Sequence, residues 1–568
     1  MRRLLPLSLA LAAAVTVIAV GATASLRRHN APTTRHILLP DQLNPDGSVT
    51  LPNGWRVTPA GRALPLPGDL PAQMLFTPDG KDLLISTDGF HDHTVSVLDV
   101  AEGKIVQSVD VGKDWAGMAL DPSSGAVYVS SGGPLGGDFQ NEATQRGATP
   151  EMLDSMKAPV QRLAWSDGKL TRQSPLDIAG LADKDRFTAG LATGKDGALY
   201  VVNMPNDTVY RLAGDPLSVT ASTTVGYRPF GIAVAPDGGQ IAVSNWGDKS
   251  VSILSPSRFK EVFRVPVGSH PNALLYAPDG RLFVANAGSN SVSVIANGNV
   301  VETIRTSLDP KAPTGSTPDA LAISPDGARL FVANADNNDV AVVDISTPFQ
   351  SRVLGFIPTG WYPSALAVSP DGHKLFIGTG KGLRFRPNVP MLTKEPDQVG
   401  PTKFDYIGNV LSGAVSIVDV PDSRQLAATT RQVLANVPSP TAGVSPQAIR
   451  TATSAFRKIK HVLFIIRENR TYDQVFGDMK EGNGDPNLCL FGAPVTPNAH
   501  ALAARTVLLD NLYCNGEVSQ DGHQWCNAAY ATDFTERAWV NTYSDRGQPD
   551  ADERLDASPA GYLWDNCA

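Results

Sequence analysis

Cysteine is absent from the first 488 residues of this 568-residue chain; Cys489, Cys514, Cys526 and Cys567 all lie near its end. No disulfide framework can therefore hold most of the molecule, and its stability must come from cores that it buries itself. The four late cysteines allow three pairings, and spacing does not choose among them. They contain no C-x-x-C pair and have no matching histidine spacing, which argues against a zinc site. Charge is sparse as well: 18% of residues are charged, the formal net charge is −8, and no dense basic cluster exists. That balance excludes a nucleic-acid binder. Long apolar runs are missing except for Leu4 to about Val20, so a bundle of membrane spans is excluded. This run follows Arg2 and Arg3 and precedes Ala22-Thr23-Ala24, an A-x-A cleavage pattern, which makes residues 1–24 a secretory signal peptide. The competing reading is an uncleaved anchor, which Arg27 and Arg28 favour. Either way the chain is exported, to the periplasm or the cell exterior. Residues 25–49 follow as an N-terminal segment.

Glycine (51) and proline (44) are plentiful, as expected of many turns and short strands. The length requires more than one core. Four segments align along the chain: "APDGGQIAVSNWGDKSVSIL", "APDGRLFVANAGSNSVSVI", "SPDGARLFVANADNNDVAVVDI" and "SPDGHKLFIGTGKG". An earlier copy reads "TPDGKDLLISTDGFHDHTVSVLDV", and "DPSSGAVYVSSGG" and "GKDGALYVVNMPNDTVYRL" are degenerate ones. Their turn positions fall near 78, 122, 195, 236, 278, 325 and 370, mostly 40 to 47 residues apart. The one long interval carries an insertion around Gly132 to Pro159. In each copy Pro-Asp-Gly makes a tight turn, with proline presetting φ and glycine supplying a positive φ. A short apolar strand, a polar turn and an alternating strand follow. Such a unit cannot bury both faces alone, and radial stacking buries them. The repeats predict a seven-bladed, all-β propeller over 50–420, closed by a strand from the stretch "LPNGWRVTPAG". Asp336 and Asn337 are read as turn formers. His91, His93, His270 and His373 are scattered and form no ligand set. A polar insertion, from about Leu383 to Ile407, interrupts the last blade.

The signature running through "LFVANADNNDVAVVD" resembles the YVTN-type, lactonase-like propellers. The likeness is specific for fold and weak for chemistry, because propellers host binding modules and enzymes alike.

After a proline- and serine-bearing linker, 421–456, the pattern changes. "HVLFII" (461–466) is a continuous apolar run, as expected of a strand buried on both faces. "RTVLLDNLYC" (505–514) reads as a second strand, and 521–539 has helical spacing. Strand, crossover, strand and helix predict an α/β domain over 457–568 with a largely parallel sheet. Ligands on such sheets sit at the carboxyl ends of strands, where Glu468 and Asn469 fall. Ser519 lies at the mouth of the next helix, and His523 is four residues further on.

"KHVLFIIRENRTYDQVFG", "VTPNAHALAARTVLLDNLY" and "EVSQDGHQW", in that order, resemble the phosphoesterase family of the alkaline phosphatase superfamily, which includes phospholipase C and acid phosphatase enzymes. The resemblance implies that Glu468 and Asn469 are the first metal-ligand pair. It also implies that Ser519, in Gly516-Glu517-Val518-Ser519, is the nucleophile. A hard divalent cation (calcium, magnesium, manganese or zinc) would suit oxygen ligands and neutralise charge on a phosphoryl oxygen. Attack by serine on phosphorus would give a phosphoserine, then hydrolysis. His523 either approaches the phosphate or simply packs. Asp473 is read as a helix cap, and His500 as a weaker candidate than His523. The family's downstream acidic and histidine ligands have no counterpart before Ala568, so the expectation is a truncated α/β domain with only the first part of its site. By resemblance the protein is an exported hydrolase of ester bonds acting on a phosphate-ester substrate, with the propeller recruiting or gating that substrate and cell-envelope or lipid association open. The alternative is an exported propeller that binds a ligand or envelope partner and carries a non-catalytic remnant. A propeller lactonase with channel acids is disfavoured, because the repeats show no non-repetitive Glu, Asp or His set. Substrate class, metal identity and oligomeric state are not encoded in any motif.

Overall fold

The computed structural model describes residues 48–383, 406–437, 445–547 and 552–567. The signal segment, most of the Leu383–Ile407 insertion and residues 438–444 of the linker lie outside them. Seven four-stranded antiparallel sheets form the propeller. The first comprises Pro71–Phe76, Asp82–Thr87, Thr94–Asp99 and Lys104–Asp110, and the sixth Pro318–Ile323, Arg329–Asn334, Asp339–Asp344 and Arg352–Pro358. The first strand of each blade packs on the first strand of the next, all the way round.

The turns behave as the repeat predicts. Gly80, Gly238, Gly280, Gly327 and Gly372 take φ between +69° and +87°, and each donates its N–H to the carbonyl three residues back. Second strands such as Leu282–Asn286 are wholly buried between neighbouring blades. Fourth strands such as Lys104–Asp110 and Ser218–Thr224 alternate exposed and half-buried residues as an outer edge. The ring is closed by Arg62–Pro65, which pairs with Ala414–Asp419 in blade seven. The closing strand thus begins just after the stretch expected to supply it, and that stretch instead makes a small hairpin, Val49–Thr50 with Arg56–Val57.

The Gly132–Pro159 insertion forms two helices, Gly137–Gln145 and Pro150–Met156. The linker also holds helices, Ser423–Asn436 and Pro446–Phe456. The first is capped reciprocally by Asp422 and Gln425 and buries Leu426 and Val433 against blade six. Gly355 permits this approach: a Cβ there would lie 2.3 Å from the Thr430 hydroxyl.

Among the described residues no strand follows Asp419, so the expected α/β sheet is replaced by a helical region. Residues 461–466 carry no regular element and pair with no described strand, with Val462 and Leu463 82% and 86% exposed. Residues 506–518 carry no regular element, and Val507 and Leu512 are exposed. Apolarity states what a segment would bury; a strand also needs neighbours for its N–H and C=O groups, and none lies beside these runs. The helix read over 521–539 is two helices, Ser519–Ala528 and Asp533–Tyr543, broken where Ala529 adopts φ 54°. No described helix is long and apolar enough to cross a membrane.

The Asp533–Tyr543 helix lies across one mouth of the propeller. Phe534 joins the core around Trp246 and Phe230, as does Leu555 from the following short helix. Trp539 packs with Leu70 and Tyr362. Fully burying each of these three side chains contributes about 1.5–3 kcal/mol. The blade-two insertion grips the same region: Asp545 accepts the N–H of Asp138 at 2.8 Å, and the Arg546 guanidinium lies 4.8 Å from the Phe139 ring centre. On the far side, Asp552 bonds Arg228 at 2.8 Å and the Tyr227 hydroxyl at 2.5 Å.

Candidate active site

Glu468 closes the unpaired segment three residues before Thr471, which with Gln474 caps the short helix Tyr472–Phe476. Across from it the Ser519–Ala528 helix begins. Asp521 organises that start by accepting the N–H groups of Glu517 at 2.8 Å and of Val518 and Gly522 at 2.9 Å. The helical repeat places Ser519 and His523 on one face, one turn apart. Ser519 Oγ donates to Glu468 Oε1, and His523 Nε2 lies 2.5 Å from Glu468 Oε2. The Ser519 hydroxyl, and after it the His523 imidazole, hold the Glu468 carboxyl below the usual carboxylate range. These groups line a cavity of about 780 Å³.

Three of the four site residues expected from sequence therefore meet: Glu468, Ser519 and His523. Asn469 lines the same cavity, but among the described residues it makes no side-chain hydrogen bond to the other three. His500 stands apart, with Nε2 2.8 Å from Asp478 and Nδ1 facing Thr496. Asp473 is a local organiser that accepts the Asp485 N–H at 2.8 Å. All four cysteines are free thiols, and Cys514 and Cys526 line the cavity.

A second cluster joins this site to the propeller. Lys381, just beyond the second strand of blade seven, lies 2.9 Å from Glu517 Oε2 and 2.8 Å from Glu536 Oε2. Its ammonium also sits 5.2 Å from the Trp361 ring centre. Burial pulls the Lys381 pKa down, and the two glutamates pull it up by more, so it stays above the ordinary lysine range. Burial pushes both glutamates up, Glu517 furthest, despite Lys381. With Asp521 beside them, three acids face one ammonium. Glu517, Asp521 and Glu536 place oxygens within 4.8 Å of one another, a spacing that could hold a metal ion, but the Lys381 ammonium already serves as the cation there.

The propeller mouth also carries a set that the sequence reading missed. Asp533 accepts from Trp246 Nε1 at 2.9 Å and Asn272 Nδ2 at 3.1 Å, and faces His270 Nδ1 at 2.9 Å. His270, taken as one of a scattered group, is thus a mouth residue. Asp88 and Asp319 face the same helix and are also non-repetitive. Aligning the copies on strand register, rather than on their shared motif, is what exposes them.

No protein-family model matches the sequence, and no curated protein matches it. Among solved structures the chain is similar to a hydrazine synthase from Kuenenia stuttgartiensis, at 18% identity over 56% of this chain and 93% of that one, with a TM-score of 0.43. It is also similar to the WD40 repeats of RRP9, at 12% identity over 64% and 99%, TM-score 0.46. A third is a putative 6-phosphogluconolactonase from Bacteroides fragilis, at 16% identity over 52% and 87%, TM-score 0.41. At such identities likeness concerns fold alone. The chain is a seven-bladed β-propeller followed by a C-terminal helical region of about 100 residues.

Proposed function

We propose that the protein is an exported, divalent-metal-dependent hydrolase of phosphate esters in which Ser519 is the nucleophile. The observation that carries this reading is the Glu468 carboxylate, whose two oxygens engage Ser519 and His523 at the start of a ten-residue helix, inside a cavity. The free N–H groups and positive dipole end of such a helix favour a phosphate. Glu468 accepts the Ser519 proton as Oγ attacks phosphorus. As the bond from phosphorus to the ester oxygen breaks, His523 acts as general acid and gives a proton to the leaving alkoxide. Water then attacks the phosphoserine and gives a proton to His523, while Glu468 returns the first proton to Ser519 Oγ as the phosphorus–Oγ bond breaks.

The donor set fits a hard cation in kind. Glu468, Asn469 and Ser519 offer oxygens to one cavity, and each Glu468 oxygen keeps a second lone pair beyond its present hydrogen bond. Glu468 and Asn469 would hold the ion, which supplies charge neutralisation at the phosphoryl oxygens. The part assigned to the propeller changes: with its mouth filled by the 533–543 helix, it positions the Ser519 turn through Lys381 rather than receiving substrate there.

Among the described residues Glu468 is the one carboxylate hydrogen-bonded to Ser519, which favours a second reading, an exported propeller module with a non-catalytic helical region. Hydrolysis of a chromogenic phosphomonoester and phosphodiester under divalent-metal titration separates the two. The first reading expects metal-dependent turnover that Ser519→Ala abolishes and His523→Ala lowers by about 10²–10⁴. Turnover unaffected by Ser519→Ala defeats it, and no turnover at any metal concentration favours the second.

A further inference from the structure

The fold discriminates among the four cysteines where their spacing does not. Cys489 follows the short turn Pro486–Leu488, and its thiol donates to the Val475 carbonyl at 3.8 Å. A Cβ on Gly492 would lie 3.2 Å from that sulfur. Cys489 is thus lodged against the Tyr472–Phe476 helix. Cys567 closes the last described turn, Asp565–Cys567. Neither is among the residues that line the Ser519 cavity, whereas Cys514 and Cys526 both are. Both are also exposed, so a reagent can reach them.

Cys526 lies on the Ser519–Ala528 helix, four residues after Gly522 and therefore on the same face. Cys514 belongs to the irregular 506–518 segment, which crosses that face. The crossing is close because two glycines allow it. A Cβ on Gly516 would lie 2.4 Å from the Gly522 N and 2.5 Å from its Cα. A Cβ on Gly522 would lie 3.5 Å from the Cys514 sulfur, so that sulfur rests on the helix at Gly522. One turn along the same face stands Cys526. Its thiol adjoins that of Cys514: burial pushes the Cys514 thiol up, the Gly516 N–H pulls it down, and the neighbouring Cys526 sulfur pushes it up again. A bridge needs two side chains that already face each other across a short gap, and among the described cysteines this pair does so.

We infer that Cys514 and Cys526 are a redox-active pair that closes into a disulfide, stapling the 506–518 segment to the Ser519 helix across the cavity wall. The oxidant is another disulfide, of a small molecule or a protein. One cysteine thiolate attacks it, forms a mixed disulfide and expels a thiolate. The second cysteine thiolate then attacks the cysteine sulfur of the mixed disulfide and expels the other thiolate. The two protons lost by the cysteines end on the two expelled thiolates. The protein pair is thereby oxidised by two electrons, and the oxidant is reduced to two thiols. The closed loop contains Ser519 and His523. Residues 506–518 carry no regular element, so the bond removes open states that the reduced segment can visit. The inference does not depend on Ser519 chemistry.

The test uses the full chain, kept dilute and equilibrated with oxidised glutathione. The reaction is quenched in acid, free thiols are alkylated, and the protein is cut after Glu517 without reduction. Mass spectrometry is expected to find the Cys514 peptide joined to the Cys526 peptide, with Cys489 and Cys567 alkylated. Excess dithiothreitol should part the two peptides and leave all four cysteines open to alkylation. Amide exchange of residues 519–528 should slow by about tenfold or more on oxidation, and should not respond to oxidation in Cys514→Ser. Alkylation of both Cys514 and Cys526 at full oxidation, glutathione adducts on them in place of an internal bond, or Cys514 joined to Cys489 or Cys567 overturns the proposal. A Cys514–Cys526 bond that leaves amide exchange unchanged overturns its role as a staple.

Discussion

Replacing Lys381 with methionine keeps the length and apolar stem of the side chain and removes only its charge. The ammonium is buried and is the one cation 2.8–2.9 Å from two acids, Glu517 and Glu536, which are nearly fully buried themselves. Removing one partner of a buried ion cluster strands the others and costs about 3–5 kcal/mol. Part of that cost is avoided if a glutamate takes up a proton. Both pKa values are already raised by burial, and loss of Lys381 raises them further. A carboxyl whose folded pKa is raised contributes stability below its unfolded pKa and loses it as pH rises through the folded value. Lys381→Met should therefore be nearly tolerated at pH 5 and cost the full amount at pH 8. Urea unfolding at both pH values, read at the Ser519–Ala528 helix by amide exchange, measures this. Adding Glu536→Gln should recover about 1–3 kcal/mol at pH 8, since the two sites share one network. A loss below about 1 kcal/mol at pH 8, or one independent of pH, would refute the reasoning.

Two further outcomes are expected. Trp539→Ala empties a fully buried site between the mouth helix and blades one and seven; it should cost about 3–5 kcal/mol and open the helical region to protease while the propeller stays resistant. Burial pushes Asp88 up to about 7 and Asp319 up to about 6, so folding takes up protons at these sites. Their contribution is present near pH 4 and fades as pH rises through 6 and 7. The Tm of Asp88→Asn relative to wild type should therefore increase between pH 5 and pH 8, and a flat difference would count against the buried, acid-rich mouth.

The blades were legible because their determinants are local. Pro-Asp-Gly fixes a turn, and a run such as Leu330–Ala333 fixes the strand after it. The outer fourth strands, such as Lys260–Pro266, carry no shared motif and only alternate half-buried and exposed residues, so the repeat suggested their number without their positions. The 461–466 run misled because apolar character records a demand for burial without showing where the partners are. Glu468, Ser519 and His523 were readable as a group through motif order and helical spacing. Lys381 was not, since its first partner lies 136 residues later and only the folded chain brings them together. Asp88 and Asp319 were hidden by the repeat itself: attention to what the copies share passes over the positions where they differ.

The central claim is that Ser519 is a phosphoryl acceptor. Its most direct test is to mix the protein with excess phosphate ester and divalent metal, quench in acid within the first turnovers, and map phosphorylation by mass spectrometry. The account predicts phosphoserine at Ser519, absent in Ser519→Ala and strongly reduced in Glu468→Gln. Turnover with no phosphate on Ser519, or with phosphate on another residue that persists in Ser519→Ala, would contradict it.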